Sequence, residues 1–125
     1  MEMQKIKTDK VAPAVGPYSS AVVVGDFVYT SGQIPVDLQG NVNGNDITTQ
    51  ADQVMVNLSE VLQAAGSSLD NVVKAMCFLS DMADFAEFNK VYESYIKNKP
   101  ARSCVAVREL PKGVLVEVEC IALKK

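Results

Sequence analysis

Two residue types are distributed unevenly enough along this chain to suggest chemistry. Ten of the twelve basic residues are lysine, and the only arginines, Arg102 and Arg108, fall in one short segment. Arg102 follows the helix-stopping pair Lys99-Pro100 and leads into an apolar run, so it stands at the start of a strand. A guanidinium at a strand edge can grip a small carboxylate through two parallel hydrogen bonds; otherwise it is a surface charge. The second feature is the run Val114-Leu115-Val116-Glu117-Val118-Glu119-Cys120-Ile121. Glu117 and Glu119 share one face of a strand at period two, framed by Leu115 and Ile121. Two such carboxylates are either solvated on an edge strand or covered at an interface. In the covered case desolvation and mutual repulsion raise their pKa values, and a raised carboxylate can serve as acid, base or water-holder.

Absences narrow the chemistry further. The chain has no histidine, which removes Ser-His and Cys-His nucleophile systems, histidine metal sites and the usual general base near neutral pH. Cys77, Cys104 and Cys120 lie far apart without a C-x-x-C, so neither a zinc knuckle nor a thioredoxin-like pair is supported. An odd cysteine count, with a polar N-terminus lacking an apolar leader, fits a reducing compartment and a cytoplasmic location. Phosphate-cradling glycine loops, H-E-x-x-H and the calcium loop are all missing. Fifteen acidic residues against twelve basic ones give a net charge of −3, which disfavours nucleic acid as a partner. No window of 18 continuous apolar residues exists, so no membrane helix is expected.

These side chains need a scaffold, and 125 residues supply one domain, 1–125. Scaling gives a folded surface of about 6,500 Å² against roughly 19,600 Å² unfolded, enough for one core. A short strand is expected at Ile6, followed by turns from Ala12 to Tyr18. Ala21–Val24 and Phe27–Ser31, split by Gly25-Asp26, read as a hairpin. Pro35 ends its second strand, and Asp37–Asp46 is a loop by composition. Ala51, Val54, Leu58, Val61, Leu62 and Ala65 recur at helical spacing, with Asp46 or Thr48 as cap and Gly66 as stop. Asn57-Leu58-Ser59 matches a glycosylation sequon, but its place inside this helix argues against modification. Val72–Leu79 reads as a central strand. Asp84 to Glu87 suggests a capping box for a second helix carrying Phe85, Phe88, Tyr92, Tyr95 and Ile96, ended by Pro100. Ser103–Val107, the turn Leu110–Gly113 and Val114–Leu123 complete the order as a closing hairpin.

Two helices on one face of a mixed sheet make a two-layer α+β domain. On the central strand, Val73, Ala75, Cys77 and Leu79 lie on one side, and Val72, Met76 and Phe78 on the other. Both sides are apolar, and two helices cover only one. Either this division of faces is wrong, or a second subunit covers the open face.

Several motifs together carry a family resemblance: Gly16-Pro17-Tyr18-Ser19, Phe27-Val28-Tyr29-Thr30-Ser31-Gly32-Gln33-Ile34-Pro35, Pro100-Ala101-Arg102-Ser103-Cys104-Val105, Leu110-Pro111 and Val116-Glu117-Val118-Glu119-Cys120-Ile121-Ala122. In this order, over nearly the whole chain, they resemble the reactive-intermediate deaminases. That family is also called YjgF-like, and older descriptions call it a translation inhibitor or endoribonuclease. The resemblance implies a chorismate-mutase-like fold that trimerises into a central barrel, with sites in the clefts between subunits. It implies hydrolysis of 2-imino acids, chiefly 2-iminobutanoate and 2-iminopropanoate, to 2-oxo acids and ammonia, with no metal or cofactor.

The resemblance also assigns roles. Arg102 would clamp the substrate carboxylate, the Cys104 backbone would meet the imine end, and Glu117 would hold the attacking water. Tyr18 would line the neighbouring side of the cleft. Ser31 and Gly32 would lie near the ligand, Gly32 allowing close backbone approach, and Asn89 would support the site. Read without the resemblance, Tyr18 is a core aromatic, Ser31 a strand residue and Asn89 a solvated helix residue. Two other functions stay open at this point: an RNA-cleaving translation inhibitor, and a trimer that binds small carboxylates or acts as a chaperone without turnover.

Overall fold

The computed structural model describes all residues, 1–125. Eight elements follow one another: β1 (Met3–Ile6), β2 (Ala21–Val24), β3 (Phe27–Thr30), α1 (Ile47–Ala64), β4 (Val72–Leu79), α2 (Phe85–Tyr95), β5 (Ala101–Ala106) and β6 (Val116–Leu123). The expected first hairpin forms, with Val24 opposite Phe27 across Gly25-Asp26. Of the two candidate caps of α1, Asp46 does the work, its carboxylate accepting from the Thr49 amide at 3.0 Å. At the other end Gly66 takes φ 82°. Its amide donates to the Gln63 carbonyl, and the Ser67 amide donates to Leu62, so the helix closes in a Schellman motif that favours glycine here. Asn57 is buried, and its side-chain amide donates to the carbonyls of Ile34 and Val36 at 3.1 and 3.0 Å. The sequon asparagine is thus a tie that fastens the chain after β3 onto α1.

The sheet is mixed, with strand order β1-β2-β3-β6-β4-β5. The closing hairpin expected from the sequence does not form. β4 lies between the last two strands, parallel to β5 and antiparallel to β6, because α2 carries the chain across the sheet and returns it in the same direction as β4. Asp84 also departs from expectation. It makes no side-chain cap bond. A 3₁₀ turn, Met82–Asp84, leads directly into α2, and Asp81 caps that turn by accepting from the Ala83 amide at 2.9 Å. Asp84 already has helical backbone angles and cannot act as the extended cap residue a capping box needs.

Both helices pack on one face, where Val28, Ala75, Cys77, Leu79, Val116, Val118, Cys120 and Ala122 are buried with Val54, Met55, Leu58 and Phe88. The division of β4 needs one correction. Val72 belongs to the buried side and Val73 is exposed. A register shift opposite β6 falls between Val72 and Lys74, and the extra residue reverses the alternation at that end. The rest of the strand alternates as read, and the other sheet face is open. Successive rows across it hold Phe27 with Leu123, Tyr29 with Ile121, Glu119 with Met76 and Ser103, and Glu117 with Phe78 and Val105. Phe27, Tyr29, Val105 and Leu123 each leave 40–47% of their surface exposed. Within one chain no helix covers this face, and its two glutamates are half-buried.

Candidate functional site

The structure gathers the singled-out residues into two groups. The first is built on the sheet edge. Arg102 is in register with buried Ala75, so its side chain leaves β5 on the helix-covered side, beneath α2. Its Nη1 donates to Asn89 Oδ1 at 2.7 Å. Its guanidinium carbon lies 4.9 Å from the ring centre of Tyr92 and 5.6 Å from that of Phe85. Asn89 is therefore a half-buried partner of Arg102 rather than a solvated helix residue. Cys104, two residues on, shares the same side of β5 and stands opposite Cys77.

Cys104 is half-buried, and burial raises its thiol pKa, with the nearby Arg102 charge pulling it back in part. A thiol held in its neutral form is a poor nucleophile. Cys104→Ala is accordingly expected to keep most of the wild-type activity, and iodoacetamide to react slowly with the parent. A dead alanine variant together with rapid alkylation would make the sulfur a reactant instead.

The second group lies on the open face and beside it. Between Thr30 and Gln33 the chain bulges away from β6. The Cys120 amide donates to Thr30 Oγ1 at 3.0 Å, and pairing resumes only at Gln33 with Val118. Ser31 and Gly32 occupy this bulge. Ser31 lies outside the strand, and its hydroxyl donates to the Ser19 carbonyl at 2.6 Å, fixing the segment that carries Tyr18. Tyr18 is 53% exposed, which removes it from the core. Tyr18, Ser20, Gly32, Gln33 and Ile34 line one cleft of about 410 Å³. The close approach at Gly32 is made by Glu117: a Cβ at Gly32 would stand 1.8 Å from Glu117 Oε2.

Burial pushes the Glu117 carboxyl above its ordinary range, and Glu119 adds repulsion. A carboxyl raised in the fold contributes stability in full below its unfolded pKa and loses it as pH rises through the folded value. Glu117→Gln is therefore expected to melt higher than the parent at neutral pH, with the gap closing as pH falls through the carboxylate range. Thermal melts of both proteins between about pH 4 and pH 7 test this. Identical melting temperatures throughout would mean that the carboxyl is unperturbed.

The two groups do not meet within one chain. Arg102, Asn89 and Cys104 lie at the β5 edge on the helix side, whereas Glu117 lies two strands away on the other face, against Gly32. No set of three or more cysteine, aspartate or glutamate side chains converges as metal ligands. Phe85 and Tyr92 are the residues that sequence reasoning missed. They read as parts of a core stripe, although their spacing with Asn89 along one helix face was visible.

Comparison with known proteins adds to this geometry. Residues 9–124 match the family described as Endoribonuclease L-PSP. A RutC family protein of Saccharolobus solfataricus is 49% identical over 121 residues, covering 95% of this chain and 96% of the relative. The crystal structure of yeast Mmf1 superposes with a TM-score of 0.96 at 43% identity, covering 99% of this chain and 100% of that one. E. coli TdcF, solved with bound serine, superposes with a TM-score of 0.91 at 38% identity, covering 98% and 99% respectively.

Proposed function

The chain belongs to the Endoribonuclease L-PSP family, an older description of the reactive-intermediate deaminases its motifs resemble, and on that premise we propose that it hydrolyses 2-imino acids to 2-oxo acids and ammonia. Its substrates are 2-iminobutanoate and 2-iminopropanoate. The observation that carries this reading is the environment of Arg102. The guanidinium is held by Asn89 and two rings, and the chain's one ion pair, Lys90 with Glu87, lies elsewhere. An ordered arginine without a carboxylate partner is built to receive one. The serine in TdcF carries a carboxylate beside a carbon bearing nitrogen, the pattern of a 2-imino acid.

Hydrolysis needs little beyond orientation, because the carbon of a protonated imine is already electrophilic. Arg102 fixes the carboxylate, and the Cys104 backbone faces the imine nitrogen. Glu117 accepts a proton from water as its oxygen bonds to C2. The proton then passes to the nitrogen of the tetrahedral adduct, and as the C–N bond breaks the adduct's hydroxyl gives its proton back to Glu117, so that ammonia leaves and the C=O of the 2-oxo acid forms. The raised pKa of Glu117 suits such a proton carrier.

Both halves of this machinery are required, so the active species is an oligomer, and the family resemblance makes it a homotrimer in which Arg102 of one copy meets Glu117, Gly32 and Tyr18 of the next. The uncovered apolar face supports the same assembly. Three unpaired thiols, two of them buried, suit a reducing compartment such as the cytoplasm. No helix is long and apolar enough to cross a membrane.

The test generates 2-iminobutanoate from threonine with a pyridoxal-phosphate dehydratase and follows 2-oxobutanoate release with and without the protein. Acceleration is the expected result. Unchanged release with retained 2-oxobutanoate binding would leave a carboxylate-binding trimer without turnover. Cleavage of RNA in place of imine hydrolysis would turn the reading to a nuclease. A well-behaved monomer at micromolar concentration in sedimentation would overturn the shared site.

A further inference from the structure

We infer that Phe85 and Tyr92 are positioning residues for Arg102: two ring faces of α2 hold its guanidinium in one plane, leaving its unused N–H groups to meet a carboxylate. The inference rests on the clamp role proposed for Arg102. Phe85, Asn89 and Tyr92 follow one another at spacings of four and three, which aligns them on one face of the helix. The guanidinium carbon is 5.6 Å from the Phe85 ring centre and 4.9 Å from that of Tyr92, both inside the range of cation–π attraction. Asn89 occupies one N–H of Nη1, so most of the five donors are not committed to it.

All three supports are neutral. An acidic partner would also order the arginine, but it would compete with an incoming carboxylate for the same fork. Ring faces and an amide oxygen order it and leave its charge uncompensated. Tyr92 is itself locked, being buried and tilted against Phe88 at 5.7 Å between ring centres. Its hydroxyl is buried without a hydrogen-bond partner. The ring face, not the hydroxyl, is therefore what Tyr92 offers to Arg102, and phenylalanine should serve as well.

The test uses the full-length protein with 2-oxobutanoate as the probe, and two readouts. The first is the side-chain Nε–H signal of Arg102 by NMR, assigned with Arg102→Lys in a chain with only two arginines. The second is the dissociation constant of 2-oxobutanoate, with kcat and KM measured alongside. Tyr92→Leu is expected to move the Arg102 signal toward that of exposed Arg108. It should weaken binding about 2- to 30-fold, the range of a lost cation–π contact, raising KM more than it lowers kcat. Tyr92→Phe should restore both readouts, with a melting temperature at or above the parent's, since it removes an unsatisfied hydroxyl. Phe85→Leu, at a half-buried position, should act in the same direction as Tyr92→Leu and carries the test if that variant does not fold. Wild-type signal and affinity in both leucine variants would overturn the inference, as would equal damage from Tyr92→Phe and Tyr92→Leu. A parent protein with no affinity for 2-oxobutanoate would instead sink the clamp role, and the Arg102 signal alone would then decide whether the rings hold the guanidinium.

Discussion

Arg102→Lys is expected to lose nearly all turnover while the protein folds and assembles as the parent does. Lysine preserves the charge, but a single ammonium cannot reproduce the planar fork that fixes a carboxylate in two directions. It also forfeits the stacked position over Tyr92 and Phe85 and the 2.7 Å bond to Asn89. Losing a charged, desolvated contact costs on the order of 2–5 kcal/mol, or about 30- to 5,000-fold in rate. The measurement is kcat/KM in the dehydratase-coupled assay, with sedimentation on the same sample. Near-parental activity would make Arg102 a surface charge and remove the main support for the clamp.

Gly32→Ala is expected to do comparable damage by an indirect route. Gly32 has no left-handed backbone angle among the glycines of this chain, so alanine meets no backbone strain there. Its methyl group, however, would stand 1.8 Å from Glu117 Oε2 and 2.8 Å from Glu117 Cδ. One of the two must move, and the flexible glutamate yields more easily than the backbone. The fold should therefore survive while the carboxylate is driven off its position. If Glu117 handles the proton, the rate should fall by about 10²-fold, the low end for general-base help, since imines hydrolyse readily unaided. The decisive comparison is the double variant. Adding Glu117→Gln to Gly32→Ala should cost little more than Glu117→Gln alone. Fully additive losses would mean that Gly32 acts on the ligand itself. Glu119→Gln belongs in the same series, because Glu119 shares the face of Glu117, and a larger loss there would transfer the role to it.

The elements legible in the sequence were those specified by local chemistry. Gly25-Asp26 marked the first hairpin, and the apolar spacing from Ala51 to Ala65 marked α1. The mixed two-layer arrangement followed from the order of elements, and an uncovered sheet face followed from the two apolar sides of β4. What was not legible depended on contacts between distant segments. Two neighbouring strands joined by Leu110–Gly113 pair with each other by default, and only the parallel return through α2 brings β4 between them. The bulge near Val73 left no trace, because valine stands on both sides of the step. Asp84 carried the right residue type for a cap, but Asp81 began the turn earlier.

The site divided in the same way. The residues themselves stood out through motif resemblance, and Arg102 also through its rarity. Their arrangement did not: the pressure of Glu117 on Gly32 joins residues far apart in the chain, and the rings around Arg102 looked like ordinary core. Tyr18 and Asn89, which read as a core aromatic and a solvated residue when taken alone, owe their true settings to Ser31 and Arg102.

That Arg102 and Glu117 occupy opposite faces of the sheet has a genetic consequence. If each catalytic centre draws one of them from either of two neighbouring chains, two alleles that are inactive alone can complement one another. In trimers formed by co-expressing Arg102→Lys and Glu117→Gln chains in equal amounts, about a quarter of the centres combine an intact arginine with an intact glutamate. A chain carrying both lesions would do the reverse in such a trimer: each copy would spoil the two centres it borders, so equal co-expression with the parent would leave about a quarter of the centres intact, half of what the parent chains would form by themselves.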